Sequence, residues 1–135
     1  MNRFRVALIP LITACAVHIA SAMDRWSALS MLETGNDDTA IGSNGEVSRF
    51  QIRPQLWPGG GDPQDVQFAL SVAQEIMQDR VATFQKAHNR PPTDFEFYVL
   101  WNAPVQADHP SQAVTDRAQR FENLVRRDST DLARH

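Results

Sequence analysis

The acidic side chains of residues 28–57 are where this chain could do chemistry. Glu33 leads them. It falls four residues after Leu29 and seven after Trp26, on the apolar face of a predicted helix and near its C-terminus. An apolar surrounding penalises an ionised carboxylate and raises its pKa. A carboxyl group so placed can give a proton to a poor leaving oxygen near neutral pH and take one back afterwards, which is what breaking a glycosidic bond demands. The plain alternative is a solvated glutamate at a helix end, although the helix dipole opposes an acid there. Asp37, Asp38 and Glu46 are the candidates for a second carboxylate, the base or nucleophile of an ordinary glycosidase. Glu46 has two readings: that second carboxylate, or a hairpin residue paired with Arg49. Charged hairpin residues are usually just solvated, which favours the latter.

Four helices are expected to position these groups. The first spans 24–34, capped by Asp24 and ended by Gly35-Asn36. Loop composition follows. Residues 46–52 then alternate loosely, with Val47, Phe50 and Ile52 apolar, and a short β-hairpin turning at Ser43-Asn44-Gly45 is predicted. In the second helix Asp62 is the expected cap, Pro63 the first helical residue and Asp65 part of the first turn. Its stripe is Val66, Leu70, Ala73, Met77, Val81 and Phe84, and Asn89-Arg90-Pro91-Pro92 stops it. The third opens on Thr93 and Glu96 in capping-box spacing and ends before Pro104. Val114, Ala118, Phe121 and Val125 mark the last, with a charged, fraying tail from residue 126. The expected class is mainly α, with helices around one small β-hairpin.

Three short stretches carry a likeness. Glu33-Thr34-Gly35-Asn36 is similar to E-S-x-F/G-N. Gly45-Glu46-Val47-Ser48-Arg49-Phe50-Gln51 is similar to G-A-x-G-L-M-Q, with a proline-bearing turn at Ile52-Arg53-Pro54. Trp101-Asn102-Ala103-Pro104 echoes Y-N-A-G-P. In order and spacing the chain resembles the lysozyme-like lytic transglycosylases, the soluble-lytic-transglycosylase and goose-type lysozyme group, over most of 23–104.

The resemblance implies an α+β lysozyme-like fold and cleavage of the β-1,4 bond between N-acetylmuramic acid and N-acetylglucosamine. It makes Glu33 the catalytic residue. The sugar's own N-acetyl group takes the place of a second carboxylate, and the product is a 1,6-anhydro sugar. Gln51 and Asn102 become substrate-facing amides, able to donate and accept hydrogen bonds. Ser48 stands where the motif's glycine lets sugar approach the backbone. Trp101 replaces the motif's tyrosine, and Tyr98, one turn earlier and the only tyrosine, could substitute for it. Trp26, Trp57 and Trp101 are candidate stacking platforms, though tryptophan is more often core. No metal or organic cofactor is implied. The expected partners are peptidoglycan glycan strands, met either in general wall remodelling or in opening the wall for a secretion apparatus, as small family members often do. Two other readings stay open: a lysozyme-type hydrolase using Glu33 with Glu46, and a catalytically idle glycan-binding or structural module on the same fold.

The whole chain sets limits on these readings. It has 135 residues, with 42% hydrophobic and 21% charged, which fits one small globular domain. Net charge is −3, a poor match to nucleic acid. Four scattered histidines and the single Cys15 support neither a metal motif nor an internal disulfide. Residues 1–22 read as an export signal: Arg3 and Arg5, an apolar run, then Ala20-Ser21-Ala22. The run is short for a membrane span, so none is expected after processing. The A-x-A pattern favours cleavage after Ala22 over lipid attachment at Cys15. Removing those 22 residues, with their two arginines, leaves 113 residues at net charge −5, a catalytic domain over 23–135 that is periplasmic or secreted.

Overall fold

Asp24 opens the first helix as its spacing predicts. Its carboxylate accepts hydrogen bonds from the Trp26 and Ser27 backbone N–H groups, 2.9 and 3.1 Å away, and satisfies donors that a helix start leaves orphaned. In the computed structural model, which describes residues 23–130 with side chains to residue 126, α1 spans Arg25–Thr34 and stops at Gly35 in the left-handed conformation. The expected signal peptide over 1–22, including Cys15, lies outside the described residues. Three further helices follow: α2 Val66–His88, α3 Asp94–Asn102 and α4 Gln112–Thr130, with 3-10 turns at Pro54–Leu56 and Pro104–Gln106. The protein is mainly helical. No helix among the described residues is long and apolar enough to cross a membrane.

The boundaries of α2 and α4 correct the sequence reading. Asp65, not Asp62, is the N-cap of α2, accepting from Phe68 N–H at 2.8 Å. Asp62 instead closes the preceding turn, its carboxylate taking Gln64 N–H and its carbonyl Asp65 N–H. The buried stripe of α2 is Ala69, Val72, Ala73, Met77 and Phe84, so Val66, Leu70 and Val81 sit at its half-buried edge. Helix α4 continues through Thr130, past the point where a fraying tail was expected. In α3 the capping box forms as predicted: Thr93 Oγ1 accepts from Glu96 N–H, and Glu96 accepts from Thr93 N–H.

The expected hairpin does not form strands. The chain does reverse at Ser43-Asn44-Gly45, where Gly42 N–H donates to Glu46 O and Gly45 N–H to Gly42 O. Yet only two isolated antiparallel bridges result, Ile41 with Val47 and Val47 with Ile52. The reason is a second tight turn. Ser48 and Gln51 both take positive φ, 71° and 52°, and Gln51 N–H donates to Ser48 O. The chain folds back one residue after Val47, so no ladder can lengthen.

The core lies between α3 and its neighbours. Helix α3 contributes Phe97, Tyr98, Val99, Leu100 and Trp101, all buried, and packs most extensively on α4 through Val114, Ala118 and Phe121. Phe121 lies 5.5 Å from the Tyr98 ring and stacks at 5.8 Å on Phe97. Helix α1 also packs on α4, and α2 on α3. Two side-chain ties link α3 to its neighbours. Arg25 Nε reaches Asp94 at 2.7 Å, and Arg80 Nη1 donates to the carbonyls of Leu100 and Trp101, which the end of α3 leaves without helical partners.

Candidate active site

Glu33 sits on the last turn of α1, and α3 and α4 hold it there. Tyr98 Oη donates to Glu33 Oε1 at 2.7 Å. Arg117 of α4 reaches the same oxygen through Nη2 at 3.1 Å and donates from Nε to Tyr98 Oη at 2.7 Å. Both protein contacts thus fall on Oε1, and Oε2 has no hydrogen-bond partner among the described residues. The Glu33 side chain is only 8% exposed. Burial, then the charge of Glu33, pushes the Tyr98 phenol well above its ordinary pKa, so it stays a proton donor. Burial lowers the Arg117 pKa, but the bond to Tyr98 and the Glu33 charge outweigh it and the net shift is upward. The surroundings of Glu33 are therefore not the purely apolar face the sequence suggested.

Glu33 opens into a cavity of about 250 Å³ bordered by the 42–46 turn, residues 51–53, α2 and the end of α3. Glu46, Gln51, Trp101 and Asn102 line the same cavity, so four of the other residues singled out in the sequence meet Glu33 there. Gln51 Nε2 donates to Ser48 O at 3.1 Å, which leaves its carbonyl oxygen as the free end. The Asn102 amide has no hydrogen-bond partner among the described residues. Gly42 lets both side chains lie close: a Cβ there would push the tips of Glu46 and Gln51 aside. Glu46 is not paired with Arg49. Its oxygens accept from the backbone and side chain of Asn44 at 3.0 and 3.1 Å. Its own backbone N–H and the Asn44 groups, with the charge of Arg53, hold its carboxyl below the usual range. Arg49 instead grips Asp38 with two bonds, 2.6 and 2.8 Å.

Ser48, Tyr98, Trp26, Trp57, Asp37 and Asp38, also singled out in the sequence, do not border the cavity. Ser48 is 1% exposed, and its Oγ accepts from Phe50 N–H. Its φ of 71° supplies the reason a glycine suits this position: a left-handed turn, rather than room for sugar. Tyr98 is fully buried and acts on Glu33 instead of on a ligand. Trp26 packs edge-on against Phe50 and Phe97, and Trp57 against Phe68; both tryptophans are half-buried. Asn36 turns back to bond the Ser30 hydroxyl, and the Thr34 hydroxyl donates to Arg49 O at 3.1 Å, tying α1 to the Ser48 turn. Among the described residues no cluster of His, Cys, Asp or Glu is placed to hold a metal ion.

Known protein families, curated proteins and solved structures contain no match to this chain.

Three arginines of the site were missed in the sequence. Arg117 lies between Val114 and Phe121 at helical spacing, and Arg80 lies between Met77 and Phe84. A charge on an apolar stripe was the available signal in both. Arg53, in a turn, carried none.

Proposed function

We propose that this protein is an exported lytic transglycosylase that cleaves the β-1,4 MurNAc–GlcNAc bond of peptidoglycan on an α+β lysozyme-like fold. The observation that carries the reading is Glu33, a nearly buried carboxyl held on one oxygen by Tyr98 and Arg117 and facing a cavity lined by Gln51, Trp101 and Asn102. Holding Oε1 leaves Oε2 to meet substrate. Protonated there, Glu33 gives its proton to the glycosidic oxygen as the C1–O4 bond breaks, while the N-acetyl carbonyl oxygen bonds to C1. The 6-hydroxyl oxygen then displaces that carbonyl from C1 and returns its proton to Glu33, closing the 1,6-anhydro ring. The two amides and the Trp101 ring are suited to hold a sugar by hydrogen bonds and stacking. The setting is either general wall remodelling or a secretion apparatus, which small members of such a family often serve.

A second reading rests on Glu46. It lines the same cavity, and its own backbone N–H and its Asn44 bonds favour the ionised form, as the base of a hydrolase requires. One experiment separates these readings from an idle glycan-binding module. Purified peptidoglycan is digested and the soluble products are weighed by mass spectrometry. Anhydro-muropeptides, lost by roughly 10²–10⁴-fold in Glu33→Gln and kept within a few-fold in Glu46→Gln, are the expected result. Reducing ends that vanish with Glu46→Gln would establish the hydrolase. No products at all, with glycan affinity kept, would leave a binding module.

A further inference from the structure

Two arginines in the cavity have no part in the proton transfers. Arg53 follows the second turn, Arg80 comes from α2, and both line the cavity with Glu33. Their setting differs from that of Arg49 and Arg117, whose guanidinium groups are paired with Asp38 and Glu33. Arg80 spends Nη1 on the carbonyls of Leu100 and Trp101, and its Nε and Nη2 have no hydrogen-bond partner among the described residues. Arg53 makes no side-chain hydrogen bond there, and neither arginine has a carboxylate within ion-pair distance. Glu75 and Asp79 border an adjoining groove with Arg80 but do not bridge to it. Glu46 senses the charge of Arg53, yet its oxygens are committed to Asn44.

Burial, then the charge of Arg53, pushes the Arg80 guanidinium down from its ordinary pKa. An acidic protein of net charge −3 thus places two mutually repelling cations on one cavity. Arg80 is half-buried and Arg53 exposed. An unpaired, partly desolvated cation such as Arg80 is costly, and an incoming anion offsets that cost and the repulsion between the two. The fixed fork of a guanidinium matches a carboxylate.

We infer that Arg53 and Arg80 form a carboxylate subsite, by which the cleft selects a glycan whose side group carries a carboxylate over a neutral glycan. The identity of that glycan rests on the peptidoglycan reading above; the subsite itself rests on the two arginines. The carboxylate is that of the lactyl ether or that of an attached peptide, and the choice of probes distinguishes them.

The wild-type chain is titrated with N-acetylglucosamine, N-acetylmuramic acid and N-acetylmuramoyl dipeptide, and binding is read from arginine Nε–Hε resonances. At least one acidic probe is expected to bind about tenfold or more tightly than N-acetylglucosamine, the scale of one charge-assisted pair. Binding of N-acetylmuramic acid assigns the lactyl carboxylate; a preference for the dipeptide alone assigns the peptide. The preference should be lost in Arg80→Gln and weaken in Arg53→Gln and in raised salt. Arg80 ties α2 to α3, so its variant can lose fold; Arg53 is exposed and keeps the test decisive. Equal affinity for acidic and neutral sugars, or a preference untouched by Arg53→Gln, overturns the subsite. Acid-selective binding without any glycan cleavage removes the catalytic reading and leaves the subsite standing. Cleavage with no acid preference does the reverse.

Discussion

Tyr98 works on Glu33 rather than on a ligand, and its hydroxyl joins α1, α3 and α4 at one point. It donates to Glu33 Oε1 and accepts from Arg117 Nε. Tyr98→Phe keeps the ring packing and deletes both bonds, leaving partly buried groups short of a partner. Stability in urea should fall by about 1–3 kcal/mol. Turnover should fall with KM little changed, because the lost contact orients the acid and touches no substrate. A rise in KM with turnover intact would place the hydroxyl against the ligand instead. Ser48 illustrates how one residue can mislead: its match to a motif glycine pointed to ligand space, whereas the requirement is a positive φ, a property no side-chain chemistry announces.

Element ends are where local sequence rules held best. The α3 capping box joins Thr93 to Glu96, and Arg90 clamps the Glu96 carboxylate with two bonds of 2.7 Å. The Arg90 bonds are the largest cause, with those from Thr93 adding to them against a burial penalty, of a Glu96 pKa lowered from 4.5 to about 2. A carboxyl depressed in the folded state stabilises above its unfolded pKa and loses that contribution as pH falls through the folded value. The stability gap between wild type and Glu96→Gln should therefore be full at pH 7 and close between pH 4.5 and about 2. Arg90 is half exposed, so solvent screening holds the gap to about 1 kcal/mol. Urea titrations at several pH values read it directly. A gap independent of pH would assign the helix start to Thr93 alone. The α2 start shows the limit of such rules. Asp62 and Asp65 are both competent caps, and which of them starts the helix depends on where the preceding turn closes.

At the scale of the molecule, the geometry around Glu33 depends on the packing of α3 against α4. Phe121 is fully buried between Phe97 and Tyr98. Phe121→Ala should cost about 3–5 kcal/mol, the transfer loss plus the cavity left behind. Because Phe121 packs against the Tyr98 ring, activity per folded molecule should fall as well. Urea unfolding beside an active fraction normalised by near-UV circular dichroism checks both. Full activity in the folded fraction would mean that α4 holds Tyr98 without this ring.

What the sequence determined by itself was local. Helix α1 with its Asp24 cap, the capping box of α3, the reversal at Asn44-Gly45 and the mainly helical class were all legible, because caps and turns act within three or four residues. Glu33 stood out through its helix face, and Gln51, Trp101 and Asn102 through the resemblance to family motifs; the fold brings all four to one cavity. Tertiary structure alone decided the rest. Tyr98 lies 65 residues from Glu33, and Arg117 lies 84 from it, so no periodicity could couple the three. The hairpin failed because Ser48 and Gln51 both turn left-handed, after which Thr34 grips the Arg49 carbonyl from another element. Arg53 and Arg80, 27 residues apart in sequence, come to one cavity only through the tertiary fold. Propensity and capping act along the chain, but the partners of a charge are set by which helices pack together.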